Sequence, residues 1–567
     1  MICVALLLLM PLLLPGQQGG GRGAGRPRAG AAPETQAPAV KPEDLGTVAG
    51  QVVNAVTGEP LGKTTLRLRR ADAAPGAGAM PRVYSAGTDS GGRFVLQNVA
   101  PGTYRLSAIR TGFVETEYGA GDPQRAGTAL PLTPKQNLTG LVFRLTPHGV
   151  ITGRIVDQDG DPLESVQVQA LRYRYTQGRR QLVSYGEDST NDLGEYRVYG
   201  LPPGRYYVAV APRRTFGPRG NLPTAASETA EEYVTTYYPG STESAAAAPV
   251  DVGPGVQLRG FDVTMARRHT VRVRGRVTDA SGGDSQRIMV FLAPGQPAGP
   301  GSMRRASRVD GNGNFEIPGV TPGSYTLVAA ASGRGRSVAA RLPVQVGNTD
   351  VDNIAVVINP PVTVSGRVRA DSDTAVALTG LRLTLRSRDA TGPMFSSQAA
   401  GRVNEDGSFS IPDVGPDLYT VMVSGLPDGF YLKAVVTNGH DVMLAGLDLN
   451  RGSPGPVDVV LSPHAGQATG VVQDDSQQST AGATVVLVPQ EKERKDLPRY
   501  YRTAAADAAG AFAFQGLDPG AYRVYAWQDV ESGAWMDPEF LAPFENRGEP
   551  LTIREDGREE LKVKLVR

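Results

Sequence analysis

The amino-acid sequence predicts an all-β protein made of five tandem antiparallel β-sandwich domains. The first observation is a motif, Gly-x-aromatic followed ten residues later by tyrosine, that occurs five times in the 567-residue chain. Successive copies start roughly one hundred residues apart, which is the usual size of one β-sandwich domain. Between the motifs apolar residues alternate with polar ones, and no long helical periodicity is present. A repeat of this length determines the architecture before any other argument.

Each motif predicts a turn and two strands. An Asp or Asn three residues before the glycine opens the turn, and the glycine supplies the positive φ that the turn needs. The following strand buries the first aromatic residue, and a second turn, usually Pro-Gly, precedes the tyrosine of the next strand. The five copies are Gly92, Phe94 and Tyr104; Gly194, Tyr196 and Tyr206; Gly313, Phe315 and Tyr325; Gly407, Phe409 and Tyr419; and Gly510, Phe512 and Tyr522.

Every predicted domain also has an opening strand centred on a glycine, a second alternating strand and a final apolar strand that closes it. The opening glycines are Gly50, Gly153, Gly275, Gly366 and Gly470. The predicted domains span residues 46–147, 148–268, 269–361, 362–464 and 465–567. Because the connections between them are very short, we expect a semi-rigid rod or arc rather than independent beads.

Residues 1–18 are predicted to be a signal peptide and residues 19–45 a linker rich in Gly, Ala and Pro. The stretch VALLLLMPLLLP has the length of a signal-peptide core and is too short to span a bilayer. The single cysteine, Cys3, lies next to it, so the exported chain would have neither a disulfide nor a thiolate metal site. We therefore expect a secreted protein with no transmembrane span in its mature chain.

The glycine-centred strand, the Asp-x-x-Gly-x-Phe hairpin and the Pro-Gly-x-Tyr strand together resemble the carboxypeptidase regulatory-like domain, over nearly all of residues 46–567. The resemblance implies a transthyretin-like (prealbumin-like) sandwich, often grouped with immunoglobulin-like and carbohydrate-binding-like folds. It also implies an accessory module without chemistry of its own, in a bacterial protein that is secreted, periplasmic or exposed on the outer surface. The fourth copy departs from the pattern, since GPDLY (Gly415 to Tyr419) stands where Pro-Gly-x-Tyr is expected.

Composition and motifs argue against several classes of function. A net charge of +1 gives no electrostatic basis for binding nucleic acid. The sequence contains no HExxH, GxSxG or CxxC motif, and so we expect no enzyme activity. The four histidines are far apart in sequence and are interpreted as solvent-exposed residues, mostly at domain junctions, rather than metal ligands. They are His148, His269, His440 and His464.

No cofactor is expected, although two runs of Asp and Asn have a spacing that can supply oxygen ligands to calcium. The runs are Asp157, Asp159 and Asp161, and Asp310, Asn312 and Asn314. Neither run is followed by the glutamate of an EF-hand. Because a hairpin turn already explains Asp and Gly at these positions, we favour turn chemistry over calcium binding.

The best candidate for a ligand site is the aromatic excess of the fifth domain, which contains both tryptophans. Since Tyr522, Val524 and Ala526 should face inward, Tyr525 and Trp527 should point to the other face of the sheet. The candidate site comprises Trp527, Trp535, Tyr525, Tyr500, Tyr501, Asp529 and Glu531. Indole rings beside carboxylates suit stacking on a sugar ring with hydrogen bonds to its hydroxyl groups. The alternative, which we favour, is that the insertion folds back and uses its aromatic residues as a satellite core.

These observations predict a non-enzymatic, secreted or cell-envelope protein that acts as a spacer and binding module. Polysaccharide is the leading ligand class, since several weak sites on one chain would gain by avidity. The first alternative is a structural or protein-interaction component of the envelope that assembles through sheet edges and loops without binding glycans. The second alternative is an accessory module of a surface enzyme or transport system.

Overall fold

The computed structural model describes residues 41–71, 83–120, 127–176, 178–212, 231–280, 288–294, 305–333, 336–372, 378, 380–388, 398–507 and 509–566. The predicted signal peptide and most of the predicted linker lie outside these ranges. Below, units 1 to 5 denote the segments 46–147, 148–268, 269–361, 362–464 and 465–567, whose bounds stay a prediction. No helix within the described ranges is long and apolar enough to cross a membrane.

Strands make up nearly all of the regular structure of units 1 to 3. Unit 1 contains β1 (Gly46–Asn54), β2 (Thr65–Arg70), β3 (Tyr84–Gly87), β4 (Arg93–Val99), β5 (Gly102–Ile109), β6 (Thr116–Glu117), β7 (Leu130–Leu132) and β8 (Asn137–Leu145). Unit 2 contains β9 (Gly149–Val156), β10 (Gln167–Thr176), β11 (Arg179–Ser189), β12 (Glu195–Leu201), β13 (Gly204–Ala211), β14 (Glu231–Tyr233), β15 (Thr236–Tyr237), β16 (Val250–Val252), β17 (Gln257–Leu258) and β18 (Val263–Thr264), with β19 (Arg267–His269) at its end. Unit 3 contains β20 (Val271–Asp279), β21 (Ile288–Pro294), β22 (Arg305–Arg308), β23 (Asn314–Val320), β24 (Gly323–Gly333), β25 (Arg336–Val346) and β26 (Val351–Ile358).

Units 4 and 5 follow the same plan, and unit 5 adds short helical turns. Unit 4 contains β27 (Val362–Ala370), β28 (Arg382–Ser387), β29 (Gln398–Arg402), β30 (Ser408–Val414), β31 (Leu418–Ser424), β32 (Tyr431–Thr437), β33 (His440–Asp441), β34 (Leu447–Asp448) and β35 (Val457–Ser462). Unit 5 contains β36 (Gly466–Gln473), β37 (Thr484–Pro489), β38 (Arg502–Ala505), β39 (Ala511–Leu517), β40 (Gly520–Trp527), β41 (Glu549–Ile553) and β42 (Arg558–Val566). The helical segments are α1 (Lys492–Lys495), α2 (Pro538–Leu541) and 3₁₀ turns at Pro42–Asp44, Ser244–Ala246, Pro498–Tyr500, Ala534–Met536 and Ala542–Phe544.

The strands of each unit form two layers, and in unit 5 the parallel pairing of β42 with β40 joins them into one seven-stranded sheet. This arrangement confirms the predicted all-β fold class. In the first layer the opening strand lies between the strand with the first aromatic residue and the closing strand, in the orders β4-β1-β8, β12-β9-β17, β23-β20-β26, β30-β27-β35 and β39-β36-β42. Opening and closing strands run parallel in all five units, whereas the opening strand and the aromatic strand are antiparallel. The sandwich, predicted to be antiparallel, therefore also contains at least one parallel pair of strands in every unit. The chain crosses into the second layer and returns to the first, so its last strand can run in the direction of its first.

A hydrophobic core lies between the two layers of each unit. In unit 1, for example, Leu66 and Leu68 of β2 and Leu106 of β5 are fully buried. Five such clusters of buried residues occur in the described chain, each within one of the five segments. Every segment therefore has apolar residues of its own to stabilise its sandwich.

Each opening glycine lies directly opposite the first aromatic residue of its unit. The register pairs are Gly50 with Phe94, Gly153 with Tyr196, Gly275 with Phe315, Gly366 with Phe409 and Gly470 with Phe512. On the other side, a Cβ atom on any of these glycines would collide with a backbone carbonyl oxygen of the closing segment. The recurring glycine thus marks a close approach of backbones, which is a known reason for glycine inside a strand.

The predicted Asp-x-x-Gly turns are present in all five units. In each turn the glycine N–H donates to the carbonyl oxygen of the Asp or Asn three residues earlier, at 3.0 Å. The glycine φ values lie between 72° and 88°, in the left-handed region where only glycine is free of strain. The glycines are Gly92, Gly194, Gly313, Gly407 and Gly510.

A hydrogen bond explains why the second aromatic residue of the motif is tyrosine in every copy. In each unit its hydroxyl donates to the carbonyl oxygen four residues earlier, across the turn that precedes the strand. The Tyr206 hydroxyl, for example, lies 2.6 Å from the Pro202 carbonyl oxygen. A buried phenol needs such a partner, and the bond fixes the turn to the strand.

Removing one of these hydroxyls should lower stability. In Tyr206→Phe the ring still fills its place in the core, but the Pro202 carbonyl loses its donor, so we expect the free energy of unfolding to fall by about 1 kcal/mol. Thermal unfolding of the full chain measures the change. Tyr199→Phe is the matched control, because Tyr199 is 66% exposed. Equal melting temperatures for Tyr206→Phe and the control would contradict this role of the hydroxyl.

Side chains and backbone bonds join each unit to the next. The His148 N–H donates to the Gly112 carbonyl oxygen between units 1 and 2. Ion pairs follow between units 2 and 3 (Arg305–Glu232, 3.2 Å) and units 3 and 4 (Arg341–Asp417, 3.1 Å), and the Tyr431 hydroxyl bonds Glu555 between units 4 and 5 at 3.1 Å. These contacts agree with the expectation of a semi-rigid chain.

The residue that departs from the motif in the fourth copy, Asp417, contacts the neighbouring unit at the junction of units 3 and 4. Asp417 stands two residues before Tyr419, where the other four copies have glycine. Its carboxylate accepts a hydrogen bond from the Ser387 hydroxyl at 2.6 Å and pairs with Arg341 of unit 3. The substituted position therefore binds the preceding unit.

Candidate functional site

The aromatic residues of the predicted ligand site in unit 5 are buried. Trp527 is 3% exposed and Trp535 8%, and Tyr500, Tyr501 and Tyr525 are also buried. Burial raises the pKa of Tyr501 to about 12, as expected for a phenol removed from water. These rings are therefore placed for packing rather than for stacking on a ligand in solvent.

The predicted alternation of side chains between the two faces of β40 is confirmed. Tyr522, Val524 and Ala526 lie in the main core of unit 5, whereas Tyr525 and Trp527 lie in a second cluster on the opposite face of the same sheet. Tyr525 and Trp527 are stacked, with ring centroids 5.2 Å apart and planes inclined by 12°. We call this second cluster the satellite core; it comprises Val486, Val488, Tyr501, Tyr525, Trp527, Val530, Ala534, Trp535 and Val566.

The insertion after β40 covers the satellite core. This agrees with the favoured sequence interpretation, in which the insertion folds back and packs its aromatic residues. Phe540 and Phe544 each lie with ring centroids 6.0 Å from that of Trp527. Tyr500 is not part of this cluster. Its ring instead contacts the guanidinium groups of Arg494 and Arg499, each 4.7 Å from the ring centroid. Binding of a glycan by these residues stays a prediction.

The two predicted acidic residues have different surroundings. Asp529 is exposed at the end of β40. Glu531 is partly buried and its carboxylate lies 3.5 Å from the guanidinium of Arg174, which belongs to unit 2. The contact between units far apart in the chain shows that the molecule is bent, so of the two expected shapes the arc agrees with the structure and the straight rod does not.

A hairpin of unit 2, formed by β10 and β11, packs on the insertion of unit 5. The ring of Tyr175 lies 6.1 Å from that of Phe540 in an edge-to-face arrangement. Gly178, at φ 74°, lies so close to Met536 that a Cβ atom would meet its backbone. We call these contacts the clasp; its residues are Arg174, Tyr175 and Gly178 of unit 2 and Glu531, Gly533, Met536 and Phe540 of unit 5.

The clasp closes one side of a cavity of 760 Å³ between units 2, 4 and 5, which the sequence analysis missed. The cationic side chains that line it are Arg179, Arg386, Arg388, Lys495 and Arg499, and the carboxylates are Asp496 and Glu545. Apolar parts of the wall come from residues such as Met422, Leu497 and Leu541. No sequence signal could reveal this cavity, because its residues converge only when three units meet.

Arg388 is held in the cavity wall by neutral acceptors. Its guanidinium donates to the carbonyl oxygens of Ala445 at 3.0 Å and Leu444 at 2.9 Å, and to the Thr420 hydroxyl at 3.0 Å. Partial burial lowers the pKa of Arg388, because desolvation disfavours its charged form. The bonds orient the guanidinium but supply no negative charge to compensate it.

Arg499 differs from Arg388, since it is neutralised by a buried carboxylate. Its guanidinium lies 3.1 Å from Asp518 and also donates to the Leu432 carbonyl oxygen of unit 4. The Asp518 side chain is 7% exposed, and burial raises the pKa of its carboxyl against the opposing effect of nearby arginines. The pair therefore joins unit 5 to unit 4 in a desolvated environment.

Loss of the Arg499 charge should destabilise the protein in a pH-dependent way. In Arg499→Gln a buried carboxylate is left without its partner, so the free energy of unfolding should fall by about 3 kcal/mol at pH 8. The native-state pKa of Asp518 is raised, so the native state binds the proton more tightly, and stability falls as the pH rises through the range between its unfolded and native pKa. Without Arg499 the native-state pKa of Asp518 rises further. The loss of unfolding free energy caused by Arg499→Gln should therefore become smaller as the pH is lowered. Thermal unfolding at pH 5 and pH 8 tests this.

A second variant separates the charge effect from lost packing. Arg499→Gln with Asp518→Asn removes both charges and should recover part of the stability at pH 8. If the double variant is as unstable as the single variant and neither responds to pH, the ionised carboxylate is not the cause.

The other sequence candidates lie in turns and at junctions. Asp157 accepts the N–H groups of Asp159 and Asp161 at 2.9 and 3.0 Å, and Asp310 caps its own turn in the same way. The His464 ring lies 2.7 Å from Asp556. Within the described residues no group of three or more His, Cys, Asp or Glu is placed to hold a metal ion. The absence of a cofactor stays a prediction.

Comparison with known proteins identifies the domain type. The family model of the carboxypeptidase regulatory-like domain matches residues 47–146 and 272–357, in units 1 and 3. The chain is thus a tandem array of β-sandwiches that contains carboxypeptidase regulatory-like domains, as the motifs predicted. No curated protein matches the sequence.

Among solved structures the chain is similar to several pilins at low identity. The minor pilin GBS52 of Streptococcus agalactiae is 12% identical, with 39% of this chain and 94% of that chain covered and a TM-score of 0.22. A streptococcal ancillary pilin is 12% identical, with 55% and 98% covered and a TM-score of 0.18. The RrgB pilus protein of Streptococcus pneumoniae is 8% identical, with 93% and 99% covered and a TM-score of 0.17. At these values the comparison carries no argument about function.

Proposed function

We propose that this chain is a non-catalytic structural protein of the bacterial cell envelope. Its β-sandwich units would be held in one arrangement and would present their surfaces to other envelope proteins. The observation that best supports this function is the clasp. The aromatic insertion of unit 5 is used to bind unit 2, and not to present ring faces to solvent.

The junctions between units support the same proposal. The Arg341 and Asp417 side chains between units 3 and 4 are 15% and 8% exposed, and the Arg305–Glu232 pair between units 2 and 3 is similarly shielded. A shielded ion pair adds little to net stability, but separating its partners leaves a desolvated charge unpaired. Such pairs therefore favour one relative orientation of neighbouring units, which is what a structural component requires.

The experiment that tests this function compares binding of polysaccharides by the full secreted chain and by a chain with an open clasp. The parent protein and Arg174→Ala/Tyr175→Ala are incubated with a panel of soluble and insoluble polysaccharides. We expect saturable binding by neither protein. Saturable binding by the parent would replace the structural function by the polysaccharide-binding one. Binding by the open variant alone would contradict the proposal as well, since it would mean that the satellite core is a covered glycan site.

Location is tested separately. Intact cells of the producing bacterium are treated with a protease that cannot enter them, and fragments of this chain are identified by mass spectrometry. Release of fragments would support display on the envelope surface. If the chain is protected in intact cells and is digested only once the cytoplasmic membrane has been broken, the chain is not an envelope component.

A further inference from the structure

We propose that the cavity between units 2, 4 and 5 binds a small ligand that carries several carboxylate or phosphate groups. This inference does not depend on the structural function proposed above, but it requires the closed clasp. With a volume of 760 Å³ the cavity lies within the range typical of ligand sites. The ligand would be enclosed by three units that are distant in the sequence.

The charges of the cavity wall select an anion. Of its five cations, Arg499 is compensated by Asp518, whereas Arg179, Arg386 and Lys495 have no carboxylate partner among the described residues. Two carboxylates of the wall, Asp496 and Glu545, offset only part of this charge. Like charges around a partly enclosed cavity repel each other, and a bound anion would relieve that repulsion.

The geometry of the arginines is suited to carboxylate or phosphate oxygens. Arg386 and Arg388 lie at the end of β28, and Arg388 is fixed by three hydrogen bonds before any ligand arrives. An oriented guanidinium loses little entropy on binding, and the second N–H of each Nη nitrogen is left to donate to an oxyanion. The apolar side chains of Met422 and Leu541 also line the cavity, so it can accept the carbon skeleton of a ligand.

The experiment measures binding of two defined anions to the full secreted chain. Sodium tripolyphosphate and citrate are titrated calorimetrically at low ionic strength into the parent, Arg386→Gln/Lys495→Gln and Arg382→Gln. Arg386 and Lys495 are exposed enough to be replaced without loss of folding, which circular dichroism verifies. Arg382 is the matched control, since it is an exposed arginine on the same strand that does not line the cavity.

We expect at least one probe to bind the parent, and the double variant to bind it at least about tenfold more weakly, as the loss of charged hydrogen bonds predicts. Arg382→Gln should bind like the parent. Binding of tripolyphosphate alone would assign a phosphate ligand, and binding of citrate alone a polycarboxylate. Failure of both probes to bind, or equal weakening in Arg382→Gln, would overturn the proposal. Because the structural function is tested by polysaccharide binding and by proteolysis of intact cells, that result would leave it untouched.

Discussion

Alanine in place of Gly275 should lower the free energy of unfolding of unit 3 by about 3 kcal/mol, at the upper end of the cost of overpacking. A Cβ atom at this position would meet the backbone and Cβ of Ile354 on one side and the ring of Phe315 on the other. The ring could shift, but the carbonyl oxygen of Ile354 belongs to the closing strand and cannot rotate away. Relief therefore requires the parallel pair of strands to separate.

Hydrogen exchange in increasing urea, followed by mass spectrometry of unit 3 peptides in the full chain, measures this change within the unit. Gly347→Ala is the matched control, because no heavy atom lies within 4 Å of its added Cβ and its φ is not left-handed. This control should be neutral or slightly stabilising. Similar losses in both variants would show that the close approach of strands at Gly275 is not the cause.

Opening of the clasp should produce the largest change in shape. In Arg174→Ala/Tyr175→Ala the ion pair with Glu531 and the ring contact with Phe540 are both removed, while the cores of units 2 and 5 are left intact. We expect the two units to separate, because the main clasp contact that is left, the approach of Gly178 to Met536, involves little side-chain area. Spin labels measure the separation directly.

The labels are placed at exposed positions on either side of the clasp, Ser184→Cys and Glu539→Cys. With Cys3 inside the predicted signal peptide, the secreted chain offers no competing thiol. The parent should give one narrow distance distribution, and the clasp variant a longer and broader one. Arg197→Ala/Tyr199→Ala removes a similar Arg–Tyr pair from the exposed surface of unit 2 and should leave the distribution unchanged. An unchanged distribution in the clasp variant would mean that the junctions alone set the arrangement.

Much of each unit could be predicted from the sequence because its determinants are local. The turn glycines, the buried aromatic residues and the outward direction of Tyr525 and Trp527 follow from backbone conformation and the period of a strand. The sequence also favoured burial of the aromatic insertion of unit 5 over its exposure as a glycan site. The motif also contained the signal for the tyrosine hydrogen bond, since the tyrosine never changes to phenylalanine, but its acceptor could not be read from spacing alone.

The clasp and the cavity could not be predicted, since they depend on how complete units meet. Arg174 and Glu531 belong to different sandwiches, and each is an ordinary surface residue in its own strand or loop. Arg386 and Arg388 likewise look like exposed cations at a strand end. Only the curvature of the chain, set by the contacts at successive junctions, brings these charges together.

The parallel pairing of opening and closing strands has a mechanical consequence. Two parallel strands place the entry and exit of each sandwich at opposite ends, so a tensile load on the chain would pull them past each other along their common axis. The ladder of β1 and β8 would then be loaded in shear, with its hydrogen bonds sharing the force instead of breaking one after another. All five units repeat this geometry. The clasp would open first, so that the chain extends under low force before any sandwich is strained.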